Sequence, residues 1–192
     1  DRIDINLSAS FNRRRTPGAA GLRRALCALL ALMLAVSATP ARAELGKDWQ
    51  PVSYPWSRYG HTCVAFNGQL WMIGGIVGNP RNDIWNSTDG VVWSLVVSAA
   101  PFSPRSQHAC VVFKNRLWVI GGKNGSSDLT DIWSSADGTH WQQETAHFPF
   151  SPRWGTSCVV FQNAIYMVGG GTPGNDVWRS SDGVNWTLVT AS

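Results

Sequence analysis

Short runs of apolar, β-branched and aromatic residues alternate with turn residues from residue 44 to the end of the chain. Runs of this length, bounded by Gly, Asn, Asp and Pro, predict β-strands. No segment of this part shows the 3.6-residue period that is typical of an amphipathic helix. The pattern therefore predicts an all-β fold.

The strand pattern recurs three times in register. Each copy starts at an Arg and runs through a Cys and an apolar segment to a Gly-Gly pair, at residues 58–75, 105–122 and 153–170. The Gly-Gly pairs are 47 and 48 residues apart. A period of this size indicates one supersecondary unit per repeat.

Each repeat continues in the same way and provides four predicted strands, named A to D. An Asn- or Lys-containing turn joins A to B, as at Asn67-Gly68, and an Asp-Gly pair joins C to D, as at Asp89-Gly90. Asn, Asp and Gly favour the positive φ angles of tight hairpin turns. Strand C opens with an Asp and a nearby Trp in all three repeats, at Asp83, Asp131 and Asp176.

Units of about 47 residues with a Gly-Gly pair after strand B and a Trp downstream resemble the kelch repeat. The resemblance implies a β-propeller of four-stranded antiparallel blades at about 57–97, 104–145 and 152–190. The Ser-x-Asp-Gly-x-x-Trp pattern, as at residues 87–93, also resembles the Asp-box hairpin of sialidase-type propellers, with one residue fewer between Asp and Gly. In both families this turn is structural.

The segment 48–52 matches strand D of the repeats and would be an orphan strand before the first blade. Closed propellers usually have four to eight blades, and three would leave sheet faces exposed. We therefore expect residues 44–192 to be a partial propeller, truncated from a six- or seven-bladed ring. Assembly of several chains to close the ring is the alternative.

Charge separates the first 43 residues from the rest. This leader holds seven of the sixteen basic residues, whereas residues 44–192 carry nine basic and ten acidic ones. The repeat region therefore lacks the basic excess that nucleic-acid binding needs. A basic stretch, an apolar run at 25–36 and Ala41-Arg42-Ala43 predict a secretory signal peptide cut after Ala43. We expect an exported protein, periplasmic, secreted or at the cell surface, with no stable membrane insertion after cleavage.

The B–C and D–A connections lie at the same end of the predicted blades and look longer than the A–B and C–D turns. Loops on a rigid scaffold are the usual place for recognition. The arginines that open each repeat could form an anion-binding ring, or each could pair with the Asp that opens strand C. The candidate binding residues are Arg58, Arg105, Arg153, Trp56, Trp154, Asn79, Arg81, Lys123 and Asn124.

Three further sets repeat without predicting chemistry. His61 and His108 occupy equivalent positions but lack a third ligand at suitable spacing, so no metal is expected. The repeated cysteines Cys63, Cys110 and Cys158 favour small buried groups over a disulfide, and the regularly spaced Trp residues favour core packing. Trp56 and Trp154 are the exceptions, because loop positions suit stacking on a sugar.

No nucleophile elbow, phosphate loop or zinc motif is present, so we predict no catalytic residue and no cofactor. Kelch relatives include galactose oxidase, whose copper site has no counterpart here, and a periplasmic sialic-acid mutarotase. We expect an exported, non-catalytic module that binds a glycan or a protein through the loop face. The alternative is a fragment of a carbohydrate-active propeller enzyme such as a mutarotase.

Overall fold

A computed structural model describes residues 57–171 and 174–191. The predicted signal peptide, the orphan strand 48–52 and Trp56 lie outside the described residues and remain predictions. Within the described part of the chain, no helix is long and apolar enough to cross a membrane.

In the described residues, fourteen strands build three four-stranded antiparallel sheets and one small hairpin. Blade 1 contains β1 (Thr62–Phe66), β2 (Gln69–Val77), β3 (Asn79–Ser87) and β4 (Ser94–Val97). Blade 2 contains β5 (Ala109–Phe113), β6 (Arg116–Ile120), β9 (Ile132–Ser135) and β10 (Gln142–Thr145), with the hairpin β7 (Lys123–Asn124) and β8 (Ser127–Asp128) inserted. Blade 3 contains β11 (Ser157–Phe161), β12 (Ala164–Val168), β13 (Val177–Ser180) and β14 (Trp186–Thr190). The predicted strands A to D are therefore confirmed in each described blade.

The predicted turns form as expected. Asn67 and Gly68 both have positive φ, at 49° and 72°, which closes the A–B hairpin. At the C–D turn, Ser87 Oγ accepts a hydrogen bond from Gly90 N at 2.8 Å, while Asp89 Oδ1 accepts from Val91 N. The same bonds recur in blades 2 and 3, where Ser180 supplies the hydroxyl in blade 3. The Ser-x-Asp-Gly segment is thus a self-contained turn in this structure.

Two of the connections that the sequence predicts as longer B–C loops are instead paired backbone. In blade 1, β2 and β3 extend to a tight turn at Gly78, whose φ is 69°, so most of residues 76–82 is strand. In blade 2, β7 pairs with β8 across Gly125. The sequence pattern did not predict these strands because their side chains are polar. Backbone hydrogen bonds between strands do not require alternating apolar residues.

The cores lie between neighbouring blades. Phe66, Trp71 and Ile73 of blade 1 pack against Leu117 and Val119 of blade 2. A second cluster joins blade 2 to blade 3 in the same way. The first strands of successive blades, β1, β5 and β11, are adjacent. The three described blades form consecutive members of a propeller and do not by themselves close a ring.

Candidate functional site

The arginine that opens each repeat forms an ion pair with the Asp that opens strand C. Arg105 donates from Nη1 to Asp131 Oδ1 at 2.9 Å and from Nη2 to Oδ2 at 2.8 Å. Nη1 also donates to the Gly121 carbonyl at 3.0 Å, and the arginine side chain is fully buried. Arg58 pairs with Asp83 and Arg153 with Asp176 in the same two-bond geometry.

The Trp two residues after each Asp completes this unit. Trp133 Nε1 donates to Asp131 Oδ2 at 2.7 Å, and Trp178 donates to Asp176 Oδ2 at 2.8 Å. Hydrogen bonds from Arg153 lower the pKa of Asp176 to about 2. Burial alone would raise the pKa of Asp131, but its bonds to Arg105 and Trp133 outweigh burial and lower it. The arginines thus follow the second interpretation that the sequence left open, a partnership with the strand-C aspartates inside each blade.

The D–A segments link the blades at the end of the sheets where the B–C connections also lie. Gln107 N donates to the Gly60 carbonyl at 2.7 Å, and Gly155 N donates to the Gln107 carbonyl at 2.8 Å. Ser106 and Lys123 exchange two backbone hydrogen bonds of 2.9 Å. We call this end of the three blades the loop face. Its backbone is fixed from blade to blade, which makes it a rigid platform.

Lys123 and Trp154, both predicted as binding residues, meet on the loop face. Lys123 Nζ lies 4.6 Å from the centre of the Trp154 ring, close enough for a cation–π interaction. The ammonium also lies 3.4 Å from Asp128 Oδ1 on the neighbouring strand β8. The lysine side chain stays 28% exposed. A cation, an aromatic ring and a carboxylate are therefore presented together at the junction of blades 2 and 3.

The other predicted loop residues lie at this face without joining that cluster. Asn79 is exposed at the start of β3, and Arg81 is exposed and bonds only weakly, with 3.4 Å from its Nη2 to the Val77 carbonyl. Asn124 is exposed on β7, beside Lys123. These side chains can meet a partner without disturbing the core.

Two exposed residues of the loop face were not among the binding residues predicted from the sequence. Tyr59 follows Arg58 and is 62% exposed, at the position that Trp154 occupies in blade 3. Gln107 is exposed and has a φ of 54°, where blades 1 and 3 have Gly60 and Gly155. A left-handed backbone at a residue other than Gly is a strained feature that often marks functional sites. Comparing the residues that follow the three arginines would have pointed to both.

Among the described residues, the repeated His and Cys residues in or just before the first strand of each blade do not form a metal site. No group of three or more His, Cys, Asp or Glu residues in the described ranges is placed to hold an ion. His108 is buried, and its Nε2 lies 2.8 Å from Thr62 Oγ1 of the preceding blade. Burial lowers the pKa of His108 to about 3, so it is neutral in the folded protein. The three described cysteines are free thiols.

The family model for the KLHDC2/KLHL20/DRC7 Kelch-repeats domain matches residues 47–190, three quarters of the chain. This match covers all three blades. The chain belongs to the kelch-repeat family. No curated protein matches the chain. Membership in a kelch-repeat domain family suggests a protein-binding module, and the propeller-blade architecture expected from the sequence is confirmed.

Proposed function

We propose that this kelch-repeat chain binds a protein partner through the loop face, with Lys123 and Trp154 at the centre of the contact. The juxtaposition of these two side chains is the observation that carries the proposal. Trp and Arg are the residues that most often dominate binding energy at protein interfaces. Arg81 and Tyr59, both exposed on the same face, extend the surface over blade 1.

The charge of this surface favours an acidic segment of the partner. Lys123 and Arg81 place two cations at the loop face, while the aspartates that open strand C are held in internal pairs. Asp128 offsets part of the Lys123 charge. An acidic segment could bond both cations while its apolar neighbours contact the Trp154 and Tyr59 rings.

The test is cross-linking from each end of the blades. A photoreactive benzoylphenylalanine at position 124 reports on the loop face, and the same residue at position 139 reports on the C–D turns at the opposite end, where Thr139 is also exposed. We expect discrete protein adducts from position 124 and none from position 139. Adducts only from position 139 would contradict the proposal.

Charge reversal tests the role of the acidic segment. Lys123→Glu should abolish the adduct formed from position 124. Lys114→Glu is the matched control, because Lys114 is an exposed lysine of the A–B turn, away from the loop face. Equal adduct yields from the two variants would contradict the charge assignment.

A glycan is the second candidate ligand, favoured by the Tyr59 ring, which is 62% exposed. A glycan array probed with the purified chain tests it: we expect binding that Tyr59→Ala removes, and an array without any bound glycan would contradict this candidate. The leader pattern of residues 1–43 supports the further proposal that the chain is exported. Sequencing the mature N-terminus tests export, since the proposed cleavage leaves Glu44 first.

A further inference from the structure

The face of blade 3 that points away from blade 2 carries apolar side chains whose counterparts in the other blades are buried or partly buried. Val159, Phe161 and Val168 are 55%, 58% and 46% exposed. At the position of Phe161, blade 1 has Phe66 and blade 2 has Phe113, which are 4% and 3% exposed. We call this the open face of blade 3. Its residues are those that, in the two preceding blades, contact the next blade.

The open face already has the geometry of a buried contact. Its ring pair, Phe161 and Tyr166, has centroids 6.2 Å apart and planes inclined by 57°. The equivalent buried pairs are Phe66 with Trp71, at 6.4 Å and 58°, and Phe113 with Trp118, at 6.4 Å and 56°. The aromatic pair of blade 3 therefore needs no rearrangement to receive another blade.

The structure also shows which part of the next blade such a face contacts. The Trp71 ring packs on Gly138 of blade 2, so closely that a Cβ at Gly138 would overlap the ring. The Trp118 ring packs on Gly183 of blade 3 in the same way. The seat for each ring is the glycine of the C–D turn, where the absence of a side chain lets the ring approach the backbone.

Blade 1 offers the matching seat. Gly90 is its C–D turn glycine, and among described residues a Cβ there would meet only Leu70 Cδ1, at 3.4 Å. Leu70 is 40% exposed and Val91 is 51% exposed. The counterparts of Leu70 in blades 2 and 3, Leu117 and Ile165, are fully buried against the preceding blade. The described residues thus carry both halves of one blade–blade contact.

We infer that the open face of blade 3 binds the Gly90 seat on blade 1 of a second copy of this chain, head to tail. A head-to-tail contact builds a ring when its rotation closes. Two copies of three blades give six, within the four to eight blades of known propellers. The ring would contain two identical contacts between copies. This contact uses the sheet faces and is independent of the proposed binding at the loop face.

Solution mass tests the inference. Sedimentation equilibrium of the wild-type chain should give twice the mass of one chain. Phe161→Glu and Leu70→Glu should each give the mass of a single chain, because each places a carboxylate in both contacts, at positions whose counterparts are buried between blades. Val92→Glu is the matched control and should keep the doubled mass, because position 92 is exposed, as are its counterparts His140 and Asn185. All substituted side chains are exposed, and a far-ultraviolet circular dichroism spectrum equal to that of the wild type checks that the fold is retained.

Mixing separates a head-to-tail contact from a symmetric one. An equimolar mixture of Phe161→Glu and Leu70→Glu pairs one unaltered open face with one unaltered seat, so a species of doubled mass should return. A wild-type chain that stays monomeric would overturn the inference and leave other blades as the occupant of the open face. A doubled mass that survives Leu70→Glu, or a mixture that stays monomeric, would overturn the head-to-tail arrangement.

Discussion

Arg105 and Asp131 form a two-bond ion pair within blade 2, with the arginine side chain fully buried and N–O distances of 2.9 and 2.8 Å. The same pair occurs in the other two blades. It ties the D–A segment to the start of strand C, which is the point where the loop face meets the sheets. These arginines therefore belong to the scaffold beneath the loop face.

Removing the buried arginine should destabilise the fold strongly. Arg105→Ala leaves Asp131 partly buried and without its cation, so we expect the free energy of unfolding to fall by about 3 kcal/mol or more. Arg116→Ala is the control, because the Arg116 side chain is 34% exposed, and it should cost less than about 1 kcal/mol. Urea unfolding measures both. A smaller loss for Arg105→Ala than for Arg116→Ala would contradict the assignment.

Acid should weaken the fold over a defined pH range. Hydrogen bonds from Arg153 lower the pKa of Asp176 from 3.8 to about 2. Between these values the unfolded chain binds more protons than the folded one, so stability is present above pH 4 and is lost as the pH falls towards 2. Asp176→Asn should be less stable at pH 7 and lose less stability over this range. Melting temperatures at several pH values measure the difference, and identical slopes would contradict the pairing.

The contact between Trp71 and Gly138 should tolerate no side chain at position 138. Gly138→Ala forces a methyl group into the Trp71 ring at a residue whose φ is 80°. Gly125→Ala is matched in backbone strain, with a φ of 61°, but has open space around it. We expect Gly138→Ala to cost about 2 kcal/mol more than the control in urea unfolding. Equal losses in the free energy of unfolding would contradict the idea that Gly138 is needed for close packing between the blades.

The described cysteines should differ in the reactivity of their thiols. Burial raises the pKa of Cys110 and of Cys158 to about 12, so both remain protonated at pH 8. Cys63 is exposed on β1. Because the thiolate is the reactive form, iodoacetamide should label Cys63 first in the folded chain. Peptide mass spectrometry identifies the labelled cysteines, and a urea-denatured sample is the control. Early labelling of Cys110 would contradict the described packing of β5.

The fold could be predicted from the sequence because the same strand and turn patterns, each weak alone, recur in all three repeats. Turn pairs such as Asn67-Gly68 and the recurring Asp-Gly turns located the strands in all three blades. The paired backbone around Gly78 and Gly125 was missed, since polar strands leave no apolar pattern to read. The site was predicted in part. Lys123 and Trp154 were named, but their contact depends on the packing of blade 2 on blade 3, which no local pattern reports.

The role of the loop face is tested most directly by binding affinity, measured by isothermal titration calorimetry with the protein captured through position 124. We predict that Trp154→Ala weakens binding by about 30-fold or more, as expected for a central aromatic residue at an interface. Thr139→Ala, at the opposite end of blade 2, should leave the affinity unchanged. Unchanged affinity in Trp154→Ala, with a loss in Thr139→Ala, would contradict binding through the loop face.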